Sequence, residues 1–342
     1  MTRKLIPVLL LAAVLFSSCS IVPQQNPKKY QASFLTLFDT VTVIQGLDIS
    51  QEAFQEKAQK IHDELEVYHQ LFDIYHDYDG VNNLKTVNDQ AGIAPVTVDR
   101  KIVDLLLDCL SYYELTDGLI NVAMGSVLQL WHEARSDSID NPMNAYLPDP
   151  GELSQAAAHT AIDALVIDEE NSTVFLSDPH CRLDVGAVAK GWSVQRVAET
   201  APEGLLISVG GNVCATGPKD ASGTPWVVGV NNPDGSEEYL HTLNVTNGSV
   251  VTSGDYQRYY VVDDRIYHHI IDPATLFPST LWRSVTIVCH DSGLADALST
   301  ALFLLPQEAG QQLLDRCSAE AFWVDANGNR FYSPGFEKLI RT

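Results

Sequence analysis

The stretch TSGDYQRYYVVDDRIYHHIIDP, residues 252–273, constrains the fold of this chain more than any other. Aromatic and β-branched residues flank Asp263-Asp264, so the pattern predicts two short antiparallel strands over 259–270 joined at that acidic pair. Such a hairpin ends in His268-His269, with Asp272 close behind. Tyr256, Tyr259 and Tyr260 offer ring faces and Arg258 a guanidinium, so groups that bond a ligand sit among groups that stack on one. An ordinary hairpin, with tyrosines on one face and polar residues on the other, has the same alternation. The reading sharpens with two further segments, LDVGAVAKG at 183–191 and LADALSTALF at 294–303. The three together point to an aromatic, phosphate-bearing ligand held beside a metal ion.

Around this segment the chain alternates groups of strands with helices. Residues 37–44 (LFDTVTVI) alternate and are β-branched, which predicts a strand; Phe54, Ala58, Ile61, Leu65 and Tyr68 recur at helical spacing through 51–70. A polar loop is expected over 73–88. A second helix is expected over 100–115, stopped by Gly118. Residues 135–152, broken by Pro142, Pro148 and Pro150, read as a surface loop or insertion. Strands are expected over 164–167, 173–176, 205–209, 226–230, 239–245 and 285–289, with short ones over 322–324 and 330–331. Helices are expected after Asp184, through Val188, Trp192 and Ala198, and over 292–305. Consecutive hairpins with helices between them favour an α+β fold over a strict βαβ repeat.

The chain has 342 residues, 45% of them hydrophobic and 19% charged, enough for one large domain or two ordinary ones with real cores. Its formal charge of −23 excludes nucleic acid as a partner, because phosphate backbones demand Lys/Arg stripes that are absent here. An anionic membrane surface repels such a body too. A phosphate-bearing ligand therefore needs local compensation, from a divalent cation or a helix N-terminus.

Residues 1–19 read as an export signal. Arg3 and Lys4 precede an apolar run, residues 5–16, too short to span a bilayer, which takes about 20 residues. Ser17, Ser18 and Cys19 follow, as in a bacterial lipoprotein signal ending at a lipidated Cys, with Phe16 where Leu is preferred. Residues 20–33 read as a polar linker, leaving 34–342 as the folded body. Cys109, Cys181, Cys214, Cys289 and Cys317 are scattered, without a CxxC pair, and indicate neither a disulfide framework nor a zinc site.

In the helix over 292–305, Leu294, Leu298, Ala301, Leu302 and Leu305 share one stripe, and Asp296, Ser299 and Thr300 gather opposite. Asp296 and Thr300 lie four apart, so both oxygens reach one point. Such hard ligands suit Mg²⁺; a solvated polar face has the same spacing, and the helix alone leaves both open. In LDVGAVAKG, Asp184 ends a strand-like run, Gly186 and Ala187 open a helix to close ligand approach, and Lys190 adds a cation; an N-capping Asp with a surface Lys reads equally well. The glycine pair in SVGGN (208–212) allows close approach or simply a tight turn. A histidine of the His268-His269 pair is a plausible general base for a hydroxyl nucleophile; one buried and one exposed ring with no catalytic role reads as well.

Taken together, LFDTVTVI, the loop around Tyr75, GLINVAMGSVLQLW, LDVGAVAKG, SVGGN, TSGDYQRYY, HHIIDP and LADALSTALF resemble, in content and order, the ApbE-type FAD:protein FMN transferases. The resemblance runs from about residue 37 to 324. It implies an ApbE-like, T-fold-related architecture of mostly antiparallel sheets flanked by helices, with an FAD cleft between two lobes. It implies an Mg²⁺-dependent enzyme that cleaves the FAD pyrophosphate, attaches FMN through a phosphoester to a Thr or Ser of an acceptor protein and releases AMP. FAD pyrophosphatase activity and a non-catalytic flavin-binding lipoprotein are the alternatives. By position it implies FAD contacts at Phe38, Tyr75, Leu119, Ile120, Asn121, Asp184, Lys190 and Ile271. It implies metal ligands at the Ala187 carbonyl, Asp296 and Thr300, and catalytic roles for His269 and Asp272. The chain departs from the family with Phe38 where Met is common, and with Asn121 and Ala123 where many relatives carry Asp and Thr. The expected acceptor is an extracytoplasmic FMN-binding domain or a subunit of a membrane redox pump. The expected location is the outer face of the bacterial cytoplasmic membrane, held by the N-terminal lipid.

Overall fold

The structure, a computed structural model, describes residues 26–342. The expected signal, residues 1–19, and the first part of the linker lie outside the described residues. The linker is shorter than its composition implies. Strand β1 (Lys28–Phe34) pairs antiparallel with β2 (Thr42–Asp48), Tyr30 lying opposite Gly46. Tyr30, Ala32 and Phe34 turn inward against the core, so three apolar side chains at period two outweigh the polar residues between them.

The strand expected over 37–44 begins only at Thr42. Leu37–Asp39 form a single 3₁₀ turn in which Phe38 and Asp39 both adopt a left-handed φ of 53°. Thr40 N–H closes the turn on the Leu37 carbonyl, and Phe38 N–H donates to His69 Nδ1 at 3.3 Å. A ring 31 residues away in sequence thus helps hold a conformation that local propensity disfavours.

Helix α1 (Gln51–Phe72) starts at Ser50, which caps Ala53 N–H, and buries Phe54, Ala58, Ile61, Leu65 and Tyr68, the stripe read from sequence. The polar loop contains a short helix α2 (Leu84–Asp89), started by a reciprocal cap between Asn83 and Thr86. After β3 (Val96–Thr97) comes α3 (Arg100–Leu115), which ends as expected: Gly118, at φ +86°, donates to the Tyr113 carbonyl. The surface loop expected over 135–152 is largely helical. It holds the end of α4 (Gly125–Asp140) and the start of α5 (Pro150–Ala157). Pro150 sits in the first turn behind the capping Asp149, where a missing N–H costs nothing.

The rest of the chain follows the expected order. Strands β4 (Leu165–Asp168) and β5 (Thr173–Leu176) join β3 in a three-stranded sheet; α6 (Ala189–Thr200) follows. Strands β6 (Leu205–Val209) and β7 (Asn212–Thr216) turn at Gly210-Gly211, both at positive φ, as a two-residue hairpin requires. Then come the ribbon β8 (Trp226–Asn231) and β9 (Tyr239–Val245), strand β10 (Asn247–Gly254), and the hairpin β11 (Tyr259–Val262) and β12 (Arg265–His268), turning at Asp263-Asp264. The chain closes with β13 (Trp282–Cys289), α7 (Ser292–Phe303), α8 (Gln307–Leu314), β14 (Ala319–Asp325) and β15 (Arg330–Tyr332).

Eight strands form one antiparallel sheet in the order β1-β2-β6-β7-β10-β13-β14-β15. Helices α1, α6 and α7 cover one face, packing Leu65, Trp192 and Leu298 against Ile207, Val251 and Ile287. The β8–β9 ribbon covers the other with Trp226, Val228 and Leu243 against Ala215, Val250 and Phe322. Covered on both faces, β13 is buried along most of its length. A separate apolar cluster of Val127, Trp131, Leu153, Tyr260 and Ile271 ties α4 and α5 to the β11–β12 hairpin. The α+β class read from sequence holds. Among the described residues no helix is long and apolar enough to cross a membrane.

Candidate functional site

A cleft of about 650 Å³ opens where the α4–hairpin cluster meets the main body. Its walls are the turn at Phe38, the loop at 73–76, the segment 119–122, α4, the entry to α6, the Gly210-Gly211 turn, the hairpin and α7.

The entry to α6 and the middle of α7 meet face to face. A Cβ added at Gly191 would fall 2.3 Å from the Ser292 carbonyl oxygen and 2.5 Å from Asp296 Cβ, so only glycine permits this contact. Gly191 N–H donates to Asp296 Oδ2 at 2.9 Å, and Asn212 Nδ2 to the same oxygen at 3.0 Å. Lys190 Nζ stands 3.8 Å from it. Gly191 lies in the first turn of α6, where an N–H has no carbonyl of its own helix to serve, and Asp296 satisfies it. The Ala187 carbonyl, just outside the helix, accepts no hydrogen bond among the described residues. Asp296 Oδ1 and Thr300 Oγ1 are likewise unpartnered among them. The solvated polar face is ruled out, because Asp296 is 4% exposed and Ser299 is fully buried. Burial pushes the Asp296 carboxyl above its usual range, with Lys190 opposing. A buried carboxylate oxygen, a hydroxyl and a free carbonyl bordering one cleft are a hard-oxygen set, and they fit a divalent cation such as Mg²⁺.

Asp184 stands nearby at the start of the same segment. Its Oδ1 accepts Gly186 N–H at 2.8 Å, and burial raises its carboxyl. It therefore holds the local turn and lines the cleft, but it does not N-cap α6, whose N-cap is Val188.

On the hairpin side, the Arg258 carbonyl accepts both the backbone N–H of His269, at 3.1 Å, and its ring Nδ1–H, at 3.2 Å. That fixes the tautomer and leaves Nε2 with its lone pair. The residue is exposed at the cleft, among the residues that line it. Burial first, then the positive charge of Arg258, pushes its pKa down to about 3. His268, by contrast, is buried against the Ser279 carbonyl at 2.7 Å. The adjacent histidines thus divide into one structural and one accessible ring.

Of the residues expected at the site, Phe38, Tyr75, Leu119, Ile120, Asn121, Asp184, Ala187, Lys190, His269, Ile271, Asp296 and Thr300 all line the cleft. Asp272 does not. Its carboxylate accepts Ala274 N–H at 2.8 Å and the Thr275 hydroxyl at 3.2 Å, holding the turn after the hairpin, so a catalytic role for Asp272 does not stand. Asn121 also has structural work: its amide donates to the Thr160 carbonyl and accepts Ala123 N–H. It thereby offers the cleft backbone rather than a free side chain.

The ApbE family profile matches residues 38–323, a span that takes in every wall of this cleft. The chain belongs to the ApbE family. It is 36% identical over 249 residues to the FAD:protein FMN transferase of Treponema pallidum (strain Nichols), covering 68% of this chain and 67% of that one. It is 32% identical over 270 residues to the protein of the same name from Klebsiella pneumoniae (strain 342), covering 75% and 81%. Among solved structures, the ApbE protein of Thermotoga maritima superposes with a TM-score of 0.80 at 28% identity, over 92% of this chain and 100% of that one. The flavin transferase ApbE of Vibrio cholerae, 22% identical, shares the fold with a TM-score of 0.75.

Among the side chains of this ApbE-family cleft that escape sequence reasoning are His132 and Arg135. His132 stacks on Tyr75 with ring centroids 4.9 Å apart, and Arg135 donates to His132 Nδ1 at 3.1 Å. Both project from α4, part of which reads as loop. The signal was present in Val127, Trp131, Ala134 and Ser138, buried at helical spacing on one face of that helix.

Proposed function

We propose that this ApbE-family protein is a Mg²⁺-dependent FAD:protein FMN transferase, exported and anchored at Cys19 to the outer face of the cytoplasmic membrane. The observation that carries the reading is the α6–α7 contact. Gly191 N–H and Asn212 occupy one oxygen of the Asp296 carboxylate, while the Ala187 carbonyl, Asp296 Oδ1 and Thr300 Oγ1 are unpartnered at the cleft among the described residues. Those three groups would hold the cation. When bound, Mg²⁺ supplies Lewis acidity and positive charge for the phosphate oxygens of the substrate.

The protein's own groups do the rest. Tyr75, stacked on His132, offers a ring face for an aromatic portion of FAD, and Ile120 and Ile271 add apolar walls. Backbone N–H groups at the entry to α6 favour the anion. His269 holds Nε2 free at the cleft, so it is placed to take the proton of an acceptor Thr or Ser hydroxyl as that oxygen bonds to the FMN phosphorus. The bond from that phosphorus to the bridging oxygen breaks, AMP leaves with the electron pair, and the proton passes to solvent.

The test incubates purified protein with FAD and an FMN-binding acceptor domain, with Mg²⁺ or with EDTA, and follows the acceptor by mass spectrometry. An FMN adduct with equimolar AMP, abolished by EDTA, is expected. Free FMN with no adduct would establish the pyrophosphatase instead, and no AMP under either condition would leave a flavin binder.

A further inference from the structure

Two guanidinium groups face the cleft without a carboxylate. In this acidic chain Arg100, Arg196, Arg283 and Arg316 each have an Asp or Glu within 4.0 Å. Arg135, Arg182, Arg258, Arg265, Arg330 and Arg341 have none among the described residues, and of these only Arg135 and Arg258 line the cleft. Arg135 is half-buried on α4 and donates only to His132 Nδ1. Arg258, at the entry to β11, reaches only the Phe38 carbonyl, at 3.4 Å. They stand close enough to repel: burial, then the like charge of Arg258, holds Arg135 below its usual range. The other charged groups that line the cleft are Asp39, Asp73, Asp184, Asp296 and Lys190, with His132 and His269 among its histidines, and none of the carboxylates lies within 4.0 Å of either guanidinium. Arginine presents a planar fork of donors matched to phosphate oxygens, and both forks retain unused donors here.

We propose that Arg135 and Arg258 form an anion clamp that holds the pyrophosphate of FAD without help from the divalent cation and positions it beside His269. The inference rests on the transferase reading for the identity of the substrate. Two features support it. The Arg258 backbone carbonyl orients the His269 ring while its side chain is free for the anion, so one residue couples base to substrate. In a body of charge −23, two unneutralised guanidiniums in one cleft also answer the need for local positive charge that the acidic composition creates.

The experiment measures binding of FAD, ADP and riboflavin to the purified full chain in EDTA, for wild type and for Arg135→Gln, Arg258→Gln and the two Lys variants. Wild type is expected to bind FAD and ADP without metal. Each Gln variant should weaken both by about tenfold or more, the loss expected for charge-assisted hydrogen bonds, and leave riboflavin unchanged. The Lys variants should recover part of the loss. Three results would overturn the clamp: no metal-free binding of FAD or ADP to wild type, unchanged FAD and ADP binding in the Gln variants, or an equal loss of riboflavin. The last would mean that the arginines only brace Tyr75 and Phe38. If the EDTA pattern appears but wild type releases no AMP with Mg²⁺ and acceptor, the clamp stands and the transferase reading falls.

Discussion

Asp296 carries more of the site than any other residue, because one carboxylate oxygen is spent on structure and the other is left for a ligand. Asp296→Ala should lower FAD turnover by at least about 100-fold, since losing a direct ligand exceeds the penalty for losing a group that merely orients one. Circular dichroism and gel filtration should still report a folded chain; unchanged AMP release in this variant would remove the proposed metal site. His269 makes a different prediction. Its pKa is depressed from the ordinary 6.5 to about 3, so the neutral, basic form persists as pH falls through 6.5. The kcat/KM for FMN transfer should stay flat from pH 8 to pH 5; an acid limb centred near 6.5 would show an imidazole that titrates at its ordinary value. His269→Ala should keep FAD affinity and lose transfer by about 10²–10⁴-fold, the usual weight of a general base. The spacing of Asp296 and Thr300 was legible in the sequence because a helix repeats locally. The role of Asp272 was not, because an Asp after a hairpin has the same letter whether it faces a cleft or holds its own turn.

The elements depend on how closely two helices approach. Gly191 is the contact point between α6 and α7, and Gly191→Ala should push them apart. The expected cost is about 1–3 kcal/mol, as for other overpacked interiors, read as a lower urea midpoint. Because the same N–H serves Asp296, the Mg²⁺ concentration needed for half-maximal activity should rise as well; a variant with unaltered stability and metal dependence would contradict this account of the junction. Helices α1, α3, α6 and α7, and most sheet strands, were legible because their buried stripes carry their own period. The turn at Phe38, strand β1 and the second half of α4 were not. Phe38 is held by His69, β1 by pairing with β2, and the polar end of α4 by packing through Trp131 and Ala134. Each of these is fixed by a partner distant in sequence, and a local window does not contain it.

For the whole molecule, the signal-like N-terminus and the acidic body have separate consequences. Cys19→Ser should move the protein from the membrane fraction to the soluble fraction while AMP release in solution stays unchanged; retention in the membrane pellet would refute the lipid anchor. The sequence by itself determined the fold class, the family resemblance, the export expectation and the residue types of the site, because composition, periodicity and motif order are properties of the chain read in one dimension. Only the tertiary structure decided which oxygens remain free at the α6–α7 contact, which histidine is accessible, and that α4 delivers Arg135 to a cleft whose other walls come from distant segments. Those outcomes depend on which hydrogen bonds are already taken and which charges lack a partner, and both are settled only when remote parts of the chain pack against one another.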